Sequence, residues 1–173
     1  MKKLLLLPAA IVVMLLVSFK YAGNWTKYTS GEGHYSISFP GQPVESTEDD
    51  TTDAMKPFKI HFATYFPNDS EGYMTDWIDM SRIYPEKKAM KQILEDSRDG
   101  AVQSVNATFV TTTATYLGKE PYIEFSFTSK EFAGKGRIYV INKFQYSIIT
   151  LFSINVGIST DADKFIKSFK HMQ

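Results

Sequence analysis

Three histidines and no cysteine leave this chain little scope for acid–base, metal or thiol chemistry. The histidines are His34, His61 and His171. A zinc site needs about three converging ligands, and neither an HExxH run nor a paired-histidine spacing supplies them. No metal and no cofactor is expected. Without cysteine there is no thiol nucleophile, disulfide or thiolate ligand. Serines are plentiful, but none stands in a G-x-S-x-G elbow, so a Ser–His–Asp triad has no local support. The glycines of "AGKG" at Ala133–Gly136 fit neither a phosphate loop nor a dinucleotide fingerprint and read as a hairpin turn. The acidic run Glu48 to Asp53 lacks EF-hand spacing and its glycine, and reads as part of a solvated loop from Glu45 to Asp53. Asn24, Asn68 and Asn106 each open an N-x-[ST] sequon, read here as chance. A catalytic reading would need His61 or His34 beside a carboxylate, in a hydrolase or lyase of unfamiliar type. The preferred reading is a non-catalytic domain that binds or supports a partner.

The aromatic side chains offer more. Phe58, Phe62, Tyr65, Phe66, Tyr73, Trp77 and Tyr84 crowd one region. The strands Phe58–Phe66 and Tyr73–Ile83 flank a turn at Pro67 to Gly72. A hairpin centred near Asp69 sets His61 opposite Trp77, Tyr65 opposite Tyr73, and Lys59 opposite Asp79. These six side chains then share one face, because strand side chains alternate. Aromatic area with polar tips suits recognition of a ligand or an envelope partner. The competing reading is ordinary sheet core. It depends on whether the helix after Pro85 covers this face or the opposite one. Met74, Ile78 and Met80 share the opposite face, where Asp76 is out of place.

The remaining elements must position this hairpin. Ile123, Phe125 and Phe127 alternate with polar residues, as in a strand with one buried face. Ile138 to Ile141 and Ile148 to Phe152 are apolar on both faces, which predicts central strands of a sheet covered twice. Asn142 and Lys143 interrupt them as a turn. Tyr35, Ile37 and Phe39 form an earlier strand, closed by Pro40–Gly41–Gln42–Pro43. Asn24 to Gly33 reads as a polar lead-in with Trp25 and Tyr28 docked on the core. Ala107 to Leu117 is β-branched and reads as a strand. Apolar residues recur at helical spacing after Pro85 and after Thr160, predicting helices over Pro85–Ser104 and Thr160–Lys170. The expected class is α+β, with an antiparallel sheet of about six strands between helices.

The chain has 173 residues, 43% hydrophobic and 22% charged, which fits one globular domain. Lys2 and Lys3 precede a run from Leu4 to Phe19 that is apolar apart from Pro8 and Ser18. This reads as a signal peptide or signal anchor over residues 1–22, with a single domain over 23–173. The folded part is expected outside the cytoplasmic membrane: periplasmic or secreted if the segment is cut, membrane-anchored if it is kept. Setting residues 1–22 aside removes three lysines and no acid. That leaves 16 basic against 19 acidic residues, or −3, which gives no field suited to nucleic acid.

The pieces "YSISFPGQP" (Tyr35–Pro43), "LGKEPYIEFSF" (Leu117–Phe127), "GRIYVINKFQYSI" (Gly136–Ile148) and "FIKSFK" (Phe165–Lys170) come in an order that resembles small exported bacterial domains similar to the PsbP-like fold. The resemblance implies an antiparallel sheet between helices, in an α/β/α sandwich. It further implies a binding or assembly role, and carries no catalytic residue across.

Overall fold

The structure is a computed structural model that describes residues 25–50, 58–82, 88–107 and 109–172. The segment 1–22 and the run 51–57 lie outside the described residues, as does the Pro85 start expected for the first helix. Among the described residues ten strands and two helices follow in the order β1 (Thr26–Ser30), β2 (Tyr35–Phe39), β3 (Val44–Asp50), β4 (Phe58–Asn68), β5 (Glu71–Asp79), α1 (Met90–Ser104), β6 (Phe109–Tyr116), β7 (Tyr122–Thr128), β8 (Phe132–Ile141), β9 (Phe144–Ser153), α2 (Asp161–Lys167) and β10 (Lys170–His171). They build a seven-stranded antiparallel sheet, β3-β4-β5-β9-β8-β7-β6, and a three-stranded one, β1-β2-β10. The antiparallel α+β architecture matches the sequence reading. Strands are more numerous than expected because short exposed segments pair as edges.

β9 lies at the middle of the larger sheet and is buried on both faces. One face carries Tyr146, Ile148 and Phe152, the other Ile149. On the Ile149 face Ile78, Ile123, Phe125, Phe127, Ile138 and Val140 meet Ile93, Leu94 and Val102 of α1. The opposite face is aromatic. There Tyr73, Trp77, Tyr139, Tyr146 and Phe152 meet Tyr35, Ile37 and Phe39 of β2 and Phe165, Ile166 and Phe169 around α2. Rings pack edge-on or offset, as between Tyr73 and Phe165 at 5.4 Å and Tyr139 and Phe169 at 4.7 Å, geometries that suit aromatic quadrupoles. Burial pushes the phenols of Tyr35, Tyr73 and Tyr146 upward, so they remain neutral.

Turns follow residue chemistry. Asn142 and Lys143 both have positive φ, at 51° and 67°, the two-residue hairpin form whose twist matches the flanking strands. The other turn of this block is not at Ala133–Gly136, where the sequence suggested it. It falls at Ser129–Glu131, where the Ser129 hydroxyl accepts the N–H groups of Glu131 and Phe132. Gly134 and Gly136 instead lie inside β8, opposite Phe127 and Phe125. A Cβ at Gly136 would come within 2.4 Å of the Phe125 ring, so the glycine makes room for it. Two further expectations change. Asn24 to Gly33 is not only a lead-in, since Thr26–Ser30 pairs with β2. Glu45 to Asp53 is not a loop over its first part, since Val44–Asp50 pairs with β4 as an acidic edge strand. Repeated charge on an exposed edge discourages pairing with other chains.

Asp76, anomalous in the sequence, is buried on the α1 face. It sits opposite Ser147 of β9 and accepts a 2.9 Å hydrogen bond from its hydroxyl. Burial dominates this bond and lifts the carboxyl to about 7. An unfolded aspartate titrates near ~4. Between these values the folded chain holds a proton that the unfolded chain has released, so this group lowers stability as pH rises toward about 7.

Two outcomes follow. Phe125, 1% exposed beneath α1, should lose roughly 3–5 kcal/mol on replacement by alanine, read from denaturant midpoints. A loss under ~1 kcal/mol would place it outside the core. Asp76→Asn should melt higher than the parent at about pH 8 and close to it at about pH 4, a difference of a few kcal/mol set by the shifted carboxyl. A gap that does not change with pH would contradict this origin.

Candidate functional site

The three-stranded sheet is smaller than the sheet it covers and leaves a cleft beside β3 and β4. The cleft has a volume of about 410 Å³. β1 supplies Tyr28 and Ser30, the turn after it Glu32, β3 Glu45 and Thr47, and β4 His61, with Trp77 of β5 behind them. Among the described residues β3 is an edge strand of the larger sheet, and its side chains line the cleft.

His61 lies flat on Trp77, ring centroids 4.0 Å apart and planes within 4°. The register expected from sequence explains this contact, since His61 pairs with Trp77 and Tyr65 with Tyr73 across β4 and β5. Thr47, opposite His61 on β3, brings Oγ1 to 3.4 Å from His61 Nδ1. The β1–β2 turn closes on the other side. The Gly33 N–H donates to Ser30 Oγ at 3.0 Å. A Cβ at Gly33 would stand 2.8 Å from both Ser30 Oγ and the indole, so only glycine allows this approach without a shift. His34 takes the left-handed φ of 52° that reverses the chain, a conformation tolerated by few residue types besides glycine.

The electrostatics of the cleft are one-sided. Glu32 and Glu45 line it, together with several hydroxyls, and among the described residues no lysine or arginine does. Burial, with the Glu45 carboxylate beside it, pushes the Tyr28 phenol up to about 12, so Tyr28 presents a neutral hydroxyl. The lining therefore offers two acceptor-only carboxylates beside hydroxyls that can donate or accept.

The six residues picked out by the hairpin divide. His61 and Trp77 come together in the cleft. Tyr73 is 1% exposed and Trp77 8%, so both belong chiefly to the core. Tyr65, half buried, lies beside Tyr73 at 6.4 Å and fills the space above Gly41. Lys59 faces Asp49 of β3 at 3.6 Å, and Asp79 accepts the Ser81 N–H at 2.8 Å, so these two do not form the expected pair. The shared face is thus not open. α1 does cover the opposite side, as the open-face reading required, but β2 and α2 cover this one. The sequence predicts layers on both faces but does not show that β2 and its sheet lie over this one, because β1 and β10 are too short to show a period. For the same reason Tyr28, Glu32, Glu45 and Thr47 were missed. The density of acids after Pro43 is a sequence signal for Glu45 and Thr47 only; Tyr28 and Glu32 carry none.

The other histidines lie elsewhere. His34 packs edge-on against Phe144 at 5.9 Å, and His171 Nδ1 is 3.9 Å from Glu120. Among the described residues no group of three or more histidines or carboxylates could hold a metal ion. None of their helices is long and apolar enough to cross a membrane.

No family model and no curated protein matches the chain. Among solved structures it is similar to the solution structure of cyanobacterial PsbP (CyanoP) from Synechocystis sp. PCC 6803, with 11% identity, a TM-score of 0.56, and coverage of 90% of this chain and 98% of that one. The likeness shows a PsbP-like fold.

Trp77→Ala should cost roughly 3–5 kcal/mol in denaturant melts, as for a large core aromatic. His61→Ala, which removes the ring on the cleft side, should cost about 1 kcal/mol or less. Equal large losses would show that His61 is as structural as the indole beneath it.

Proposed function

We propose that this chain is a non-catalytic domain of the bacterial cell envelope that holds a partner in the cleft between β1 and β3. The observation that carries the reading is the composition of that cleft: two carboxylates, a stacked imidazole and several hydroxyls, with no lysine or arginine among the described residues that line it. Such a surface is complementary to a segment rich in hydrogen-bond donors, above all an arginine or lysine side chain offered by another envelope protein. The flat His61–Trp77 stack gives a guanidinium a plane to rest against. A small cationic ligand would meet the same groups.

Support for a place outside the cytoplasmic membrane comes from Lys2, Lys3 and the apolar run Leu4 to Phe19. The PsbP-like fold fits an accessory role, and the structural relative is itself named as a PsbP. A hydrolase or lyase built on His61 or His34 has less support. Among the described residues neither ring is held against a carboxylate; their contacts are Thr47 and Trp77 for the one and Phe144 for the other.

The purified protein should bind an arginine-containing peptide, and added salt should weaken the complex because its charges are exposed. Glu45→Gln with Glu32→Gln should remove most of that binding while leaving the melting temperature nearly unchanged. Binding unaffected by the double replacement would sink the cleft as the site. For location, a reporter active only outside the cytoplasm should work when fused after Gln173. Activity from a cytoplasm-only reporter at that position would end the export reading.

A further inference from the structure

The exposed apolar side chains are not scattered. Large hydrophobic residues open to solvent are Val44, Phe66, Tyr116, Leu117, Ile154, Val156 and Ile158. Strand register sorts them by end. β4 turns into β5 at Asn68–Glu71, and Glu71 pairs with Phe152 near the end of β9. Ser153 then donates its N–H to Ser70 O at 2.8 Å, and Ile154 donates to Glu131 O at 2.9 Å. Phe66 and the Ile154–Val156–Ile158 loop therefore share one end of the sheet. Val44, opposite Thr64, starts β3 toward that end. Tyr116 and Leu117 lie at the other, where Tyr116 pairs with Tyr122 and Tyr122 with Tyr139.

Trp25, the first described residue, is at the apolar end too. It packs against the aromatic core and lies under Lys164 Nζ, 4.0 Å from the ring centroid. Lys164 lies in α2, which begins just after the Ile154–Ile158 loop. Thr26 pairs with Phe39, whose ring packs on Phe165 of α2 at 4.9 Å. Only five residues, 20–24, separate Trp25 from the apolar run Leu4–Phe19. Fully extended they reach at most roughly 18 Å. If that run lies in a bilayer, the bilayer surface must be close to Trp25.

We infer that this end of the domain rests on the membrane, with Phe66, Ile154, Val156 and Ile158 dipping into its interfacial layer. The aliphatic loop suits the acyl boundary, and apolar side chains of this size add to the hold of a single anchor. Polar neighbours at the rim, Asp69, Lys130 and Glu131, would stay at headgroup depth. The cleft, lined by the β1–β2 turn at the opposite end of β1, then faces away from the bilayer and remains open to partners. This inference rests on the membrane placement proposed above and not on what the cleft binds.

The absence of cysteine allows single labels in the full chain. Val156→Cys and Phe66→Cys, each carrying an environment-sensitive fluorophore, are compared with Leu117→Cys after reconstitution into phosphatidylcholine vesicles. Labels at 156 and 66 should shift to the blue and lose most of their emission when the lipids carry a doxyl quencher. The label at 117 should do neither. Equal responses at 156 and 117 would overturn the orientation. So would a blue shift at 156 that is already complete without lipid, as the chain's own apolar segment or a second copy covering the loop would produce. A full chain that does not float with the vesicles would overturn both the orientation and the membrane placement, whereas loss of peptide binding alone would touch only the cleft.

Discussion

The two-sided burial of β9 is the constraint on which the rest depends. A strand with Tyr146, Ile148 and Phe152 on one side and Ile149 on the other cannot lie on a half-solvated sheet. At roughly 25 cal/mol for each Å² of apolar surface kept from water, each large side chain left bare would cost a kilocalorie or more. Both faces must therefore be covered, by different means. α1 lays Ile93, Leu94 and Val102 on the aliphatic face. The aromatic face takes two pieces, the small sheet of β1, β2 and β10 and the short helix α2.

The cleft is a consequence of that second cover. Three short strands and a two-turn helix do not reach across a seven-stranded sheet, so its β3–β4 margin stays partly uncovered. The margin is then finished with polar residues. Trp77 stays in the core while His61 lies over it, which separates the stabilising aromatic surface from the accessible polar one. The same division runs along the length of the sheet. Polar groups line the cleft toward one end, and exposed aliphatic residues collect at the other beside Trp25. A domain with two chemically different ends has a natural orientation on a surface.

Legibility in the sequence followed period and length. β7, β8 and β9 carry seven to ten residues each, long enough for β7 to show the alternation of one buried face and for β8 and β9 to show the two-sided apolar character of central strands in a doubly covered sheet. The His61–Trp77 and Tyr65–Tyr73 register was also readable, because the turn residues around Asp69 set the pairing. Strands such as Thr26–Ser30 and Lys170–His171 offered no comparable signal. Double cover is legible from β8 and β9, but without these short strands the piece that lies over the hairpin face is not, so that face reads as open when it is mostly core. Asp76 shows the opposite case. Its mismatch with the apolar pattern was plain, but its explanation, the Ser147 hydroxyl on β9, lies 71 positions away in the chain. Gly134 and Gly136 suggest a turn because glycine is common in turns; the Thr150 carbonyl and Phe127 ring beside the one and the Phe125 ring beside the other give the actual reason for the missing side chains.

The central claim is that the carboxylate-lined cleft between β1 and β3 is where a partner is held. The most direct measurement is an amide chemical-shift map of the isotopically labelled protein titrated with an arginine-containing peptide at low and high salt. Saturable shifts confined to Thr29–Glu32, Glu45–Thr47 and His61, fading as salt is raised, are the predicted result. Shifts centred on another surface, such as β6, or no saturable shifts at either salt concentration, would contradict it.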